Sequence, residues 1–128
     1  MLRSATIIAL VLAGTAYVVA QAPSNTRRLL LRADAPTPGY EIVLVEGTIP
    51  VGGREGLHTH PGGLVAYVQS GTIRLDHEDR ESVVYAAGES LQIEANKVHE
   101  GINVGDVPAV LLATFVVEKG KPMTTQVD

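Results

Sequence analysis

From Tyr40 onward, short apolar runs alternate with turn-forming clusters at the spacing of strands. Tyr40 to Ile49 is β-branched and apolar apart from Glu41 and Glu46, and Pro50 to Gly53 closes it as a turn. Leu64 to Gln69 and Thr72 to Asp76 flank Ser70-Gly71, which reads as a hairpin signal. After a charged turn from His77 to Glu81, Val83 to Ala86, Leu91 to Ile93, Val98 to Val104 and Ala109 to Glu118 read as further strands. No stretch beyond residue 40 sustains a helical period. About eight short strands at near-regular spacing predict an all-β chain, an antiparallel sandwich or barrel.

The pattern changes at both ends. Ala5 to Ala20 is apolar apart from Thr6, Gly14, Thr15 and Tyr17, follows the positive Arg3, and ends in small residues. That predicts a cleavable signal peptide over residues 1–20, and hence a periplasmic or secreted protein. Residues 21–39 form an arm whose centre, Arg27-Arg28-Leu29-Leu30-Leu31-Arg32, adds a strand to a sheet edge or pairs across a dimer. Residues 40–118 are the β domain and 119–128 a polar C-terminal tail. A length of 128 residues fits one folded domain.

Composition narrows the function classes. At 45% hydrophobic and 19% charged residues, the chain is not a solvated, disordered one. One Phe and no Trp leave the core to Val, Ile, Leu and Ala. Cysteine is absent, so neither a disulfide nor a thiolate metal site is available. The net charge is −4; without Arg3, 9 Lys and Arg face 14 Asp and Glu, or −5. No basic stripe exists, which argues against nucleic acid and against an anionic membrane surface as partners.

The chemistry concentrates in histidine. His58 and His60 lie in Gly-Leu-His-Thr-His-Pro-Gly-Gly, and His99 lies in Asn-Lys-Val-His-Glu-Gly-Ile-Asn. Residues two apart in a strand share a face, so His58 and His60 can offer two imidazoles to one cavity. Neutral imidazole is a common ligand of first-row metals, and a third ring from a partner strand completes a facial set with open positions. His77, among Asp76, Glu78 and Asp79, reads as solvated.

These motifs resemble those of the cupin superfamily, small β-barrels of the jelly-roll type. Gly52, His58, His60 and Gly71 fall on the family's first motif, and Gly88, His99 and Asn103 on its second. The resemblance spans about Tyr40 to Glu118 and implies a single-domain cupin jelly-roll. It also implies one divalent metal (Fe, Mn, Zn, Ni or Cu) held by His58, His60 and His99. The first motif's Glu falls on Leu64, or on Val65 with the longer spacing, and neither binds metal. In the second motif Glu94 replaces Pro and Asn96 replaces Gly.

Three neutral imidazoles leave the full ion charge at the site, which favours an anionic or enolate-like substrate. Three-His cupins include dioxygenases, so the resemblance implies dioxygenase-type chemistry on a small polar molecule. A non-catalytic binding module is the alternative, and a metal-dependent isomerase, lyase or decarboxylase a third. Small cupins often pair, which implies a homodimer.

Around the histidines, Leu64, Ala66 and Val68 share one strand face and are expected to line a dry cavity, while Gln69 points away. Gln92 is a candidate partner of the metal if the cavity lies on its side of the strand. Glu94 is expected to be exposed, and Glu100 to face away from the ligands. Tyr67 and Tyr85 read as half-buried, and Gly52, Gly56, Gly62, Gly63, Gly71 and Gly88 as turn formers. No separate general base is identifiable. Imidazoles must be unprotonated to bind metal, so release is expected as pH falls through roughly 6.5.

Overall fold

The alternation along Leu64 to Ser70 sets the logic of the molecule: Leu64, Ala66 and Val68 are buried, while Val65, Tyr67 and Gln69 are exposed. A computed structural model describes residues 22–128. The predicted signal peptide lies outside the described residues. Ten strands appear in chain order: β1 (Thr26–Asp34), β2 (Tyr40–Ile49), β3 (His58–Thr59), β4 (Leu64–Ser70), β5 (Thr72–His77), β6 (Val83–Ala86), β7 (Ser90–Ile93), β8 (His99–Asn103), β9 (Ala109–Glu118) and β10 (Thr125–Gln126). They build two five-stranded antiparallel sheets, ordered β1-β2-β9-β4-β7 and β10-β3-β8-β5-β6. The ladders form two separate sheets, so the predicted jelly-roll β-barrel is an open, two-sheet jelly-roll-like structure among the described residues.

The arm supplies β1, an edge strand that pairs along β2 from Glu41 to Thr48. Its Arg28 and Arg32 reach Glu46 and Glu41, the two charged positions of β2. Between the sheets lies the core, built from Val43, Val45, Val68, Ile73, Leu75 and Val117 among others, with Phe115 as its single Phe. Tyr85 packs half-buried against it, whereas Tyr67 is exposed on the outer face of β4, not half-buried as expected.

The Ser70-Gly71 hairpin is a correction. Strands β4 and β5 belong to different sheets, so Gly71 turns the chain from one sheet to the other. Its φ of 78° suits glycine, and a Cβ there would lie 2.8 Å from the Cα of Ala109. A tight two-residue turn gives the same sequence signal whether the strands pair or part. Close by, Asn103 ties the loops together. Its amide donates to the carbonyls of Ile49 (2.9 Å) and Val107 (2.8 Å), and its oxygen accepts from Gly105 N–H (2.9 Å).

Candidate metal centre

His58 and His99 are direct partners across β3 and β8, so the ladder itself sets two imidazoles side by side. His60 follows one residue after β3 on the same face. All three rings are buried, with centroids 4.3 to 4.9 Å apart. Their ligand nitrogens lie within 4.8 Å of one another. Ligation at about 2.1 Å would draw these nitrogens closer together.

Each ring is oriented by a backbone carbonyl. Nδ1 of His58 donates to Gly56 O (2.7 Å), that of His60 to Met123 O (2.8 Å), and that of His99 to Lys97 O (2.8 Å). A carbonyl only accepts, so Nδ1 carries the proton and Nε2 keeps its lone pair for the cavity. His99 Nε2 is fully buried and has no hydrogen-bond partner. A buried lone pair without a donor is costly in an apo core, and a cation is what it lacks. The donor set therefore fits a divalent metal.

Burial lowers the proton affinity of His60 and His99, each to about 4, because the charged imidazolium loses its hydration. Like-charge neighbours push the same way, His58 and His99 on His60, and His58 on His99. An ion held by these two rings should therefore be released by acid at a pH below the 6.5 of a free imidazole. The ion-free protein has a matching signature. Between pH 6.5 and about 4 the unfolded chain binds protons on these rings and the folded one does not, so stability is present above 6.5 and falls as pH drops. Melting temperature in a chelator should decline across that window in the wild type and less steeply in His60→Gln. Equal slopes would contradict the burial argument.

The cavity beside the rings has a volume of about 70 Å³ and is lined mainly by apolar side chains, including Leu64, Ala66, Leu91, Ile93 and Phe115. Phe115 meets His60 edge-on, with centroids 5.1 Å apart. Val68 is fully buried but packs in the core outside the cavity lining, a correction to its expected place. Gln92 is a second correction. Leu91 and Ile93 point inward, so alternation puts Gln92 on the exposed outer face with Val65. His77 ends β5 half-buried opposite His99 rather than solvated, its Nδ1 buried without a partner.

The sequence missed several supports. The tail folds back as β10 along β3, with Val127 N–H donating to Leu57 O (2.9 Å), which brings Met123 O to His60. Glu100 turns away from the ligands as expected but is buried. It grips Arg54, and it accepts from Gly56 N–H (2.9 Å), the residue whose carbonyl orients His58. The Arg54 guanidinium holds the Glu100 carboxyl below its ordinary range. Asn96, standing for the second motif's Gly, takes a φ of 59°, which Asn tolerates, and its N–H donates to His60 O (2.8 Å). Glu94 is exposed and pairs with Arg80.

Comparison with known proteins agrees with this geometry. A family model described as a cupin domain matches residues 45–115, more than half of the chain. The chain belongs to the cupin family. No curated protein sequence matches this cupin. Among solved structures it is similar to a double-stranded β-helix protein from Klebsiella pneumoniae, at 19% identity and TM-score 0.65, over 88% of this chain and 91% of that one. A polyketide cyclase from Streptomyces resistomycificus matches at 22% identity and TM-score 0.65, over 82% of this chain and 72% of that one. A DMSP lyase from Ruegeria pomeroyi matches at 13% identity and TM-score 0.68, covering 81% of this chain and 52% of its own. At these identities the likeness concerns the fold.

Leu64, at the position of the first motif's carboxylate, is buried and lines the cavity. Leu64→Glu should tighten metal binding by about tenfold, because it adds an anionic oxygen to the three imidazole nitrogens and whatever other groups hold the ion. Competition with a chromogenic chelator reads the change. Unaltered affinity would place side chain 64 out of reach of the ion.

Proposed function

We propose that this cupin is an exported, metal-dependent enzyme acting on a small polar molecule, with His58, His60 and His99 holding one divalent ion. One observation carries the reading: three buried imidazoles are locked by backbone carbonyls with Nε2 turned to a shared space, and one of those nitrogens has no partner. Bound there, the ion supplies Lewis-acid polarisation and, for iron with open positions, access to dioxygen chemistry. Leu64, Ala66 and Phe115 keep bulk water from the reacting group. A cavity of about 70 Å³ admits only the reacting end of a substrate, so specificity beyond that end is read at the mouth.

Dioxygenase-type turnover is the leading form of this reading. Elemental analysis of natively purified protein, followed by oxygen uptake with diketone, thiol and catechol substrates, tests it. Stoichiometric metal with oxygen consumption is the expected result. Metal without any turnover would replace the enzyme with a binding module. Oxygen-independent lysis, isomerisation or decarboxylation at the same ion is the second reading, which anaerobic turnover would reveal. Export rests on residues 1–20. A homodimer is proposed through edge strand β1, which exposes Leu29 and Leu31; light scattering on the purified mature chain reads it.

A further inference from the structure

The family's carboxylate is absent from position 64, yet a carboxylate does reach the cavity. Glu55 sits in the loop between β2 and β3, where its N–H donates to Gly101 O (3.0 Å). Its side chain lines the same cavity as the three histidines. Oε1 faces Arg27 Nη2 of β1 at 3.5 Å, and Oε2 stands 4.0 Å from His58 Nε2. That separation is too long for a hydrogen bond, so His58 does not satisfy Oε2.

The facing strand leaves room for this group. Gly101 follows His99 by two positions on β8, on the same strand face. A Cβ at Gly101 would come within 2.5 Å of Glu55 Oε2, so the carboxylate occupies space that any other residue there would fill. Gly101 has no positive φ, which leaves clearance for Glu55 as the reason a side chain is missing.

We propose that Glu55 supplies the anionic group of this metal centre, delivered from the loop before His58 instead of from the strand after His60. The inference rests on the three-histidine metal reading and deepens it. With Glu55, the local charge of a divalent ion drops from two to one, and Arg27 holds the outer oxygen while Oε2 faces the nitrogens. A site of this charge binds a divalent ion more tightly than imidazoles alone and attracts an anionic substrate less strongly.

Titration of ion-free full mature protein with Zn²⁺ and Co²⁺, against a chelator of known affinity, decides the matter. Glu55→Gln keeps the shape and removes the charge; we expect binding weakened about tenfold or more and an altered Co²⁺ absorption spectrum. Gly101→Ala displaces the flexible end of Glu55 and should weaken binding in the same direction. The double variant should lose little beyond either single one, since both act on one carboxylate. Ion-free melting temperatures identify any variant that fails to fold; Glu55→Gln, the isosteric change, decides alone if Gly101→Ala does. Wild-type binding with unchanged affinity and spectrum in Glu55→Gln overturns the role of Glu55 and leaves the three histidines standing. A wild type that takes up no metal overturns both.

Discussion

His60→Ala should reduce bound metal from one ion per chain to a trace after dialysis, while the β-sheets remain folded. Three neutral nitrogens form the core of the centre, and none is duplicated: each comes from a separate position and is aimed by its own carbonyl. Losing one leaves two imidazoles and at most one carboxylate, too few to displace the waters of a divalent ion in a small apolar cavity. Affinity should fall by roughly two orders of magnitude or more, beyond the tenfold to hundredfold typical of losing an outer partner. The substitution also strips Met123 O of its donor and leaves a void beside Phe115, costing the ion-free protein about 2 kcal/mol. Elemental analysis and ion-free melting separate the two effects. A variant that still carries one ion per chain would remove His60 from the ligand set.

Much of this centre was legible because period-two alternation couples chain position to face. His58 and His60 share a face, and so do Leu64, Ala66 and Val68, which are all buried. The strands from Tyr40 to Ile49, from Val83 to Ala86 and from Ala109 to Glu118 stand where the pattern of apolar runs and turns puts them. Pairing was less legible. Local sequence does not say whether Ser70-Gly71 joins neighbours in one sheet or crosses between two, because the partners of β4 are β7 and β9, both well beyond the turn. Gln92 was undecidable for a related reason: alternation says that it opposes Leu91 and Ile93, but not which side faces the histidines.

Least legible were contacts between distant segments that carry no motif. The tail reads as polar, yet its backbone carbonyl at Met123 orients a ligand, and a carbonyl has no signature in sequence. Glu55 and Glu100 each sit one residue from a glycine in a motif-rich stretch, but only the facing of the loop against β8 gives them their roles. The one available clue was a glycine, Gly101, inside an otherwise regular strand, a sign that another group approaches closely.

Glycine also supplies the second large effect. Gly62→Ala should lower the melting temperature by on the order of 10–20 °C, the equivalent of about 3 kcal/mol in a domain of this size. Its φ lies outside the left-handed region, so the reason is space alone. A Cβ at this position would lie 1.6 Å from Val116 O and 2.8 Å from Val116 C. Val116 belongs to β9, which is hydrogen-bonded on both sides, by β2 and by β4, and is the strand least able to yield. The turn must move instead, and it carries His60 at one end and Leu64 at the other. Metal affinity should therefore fall along with stability. Gly52→Ala is the informative contrast: its φ is 72°, but nothing lies within 4 Å of the added carbon, so only the backbone cost of about 1 kcal/mol applies. In sequence both glycines look like turn formers of the same kind. Equal melting temperatures for the two variants would mean that the turn after His60 is not pressed against β9, and that the ring's placement depends on its other contacts, with Met123, Asn96 and Phe115.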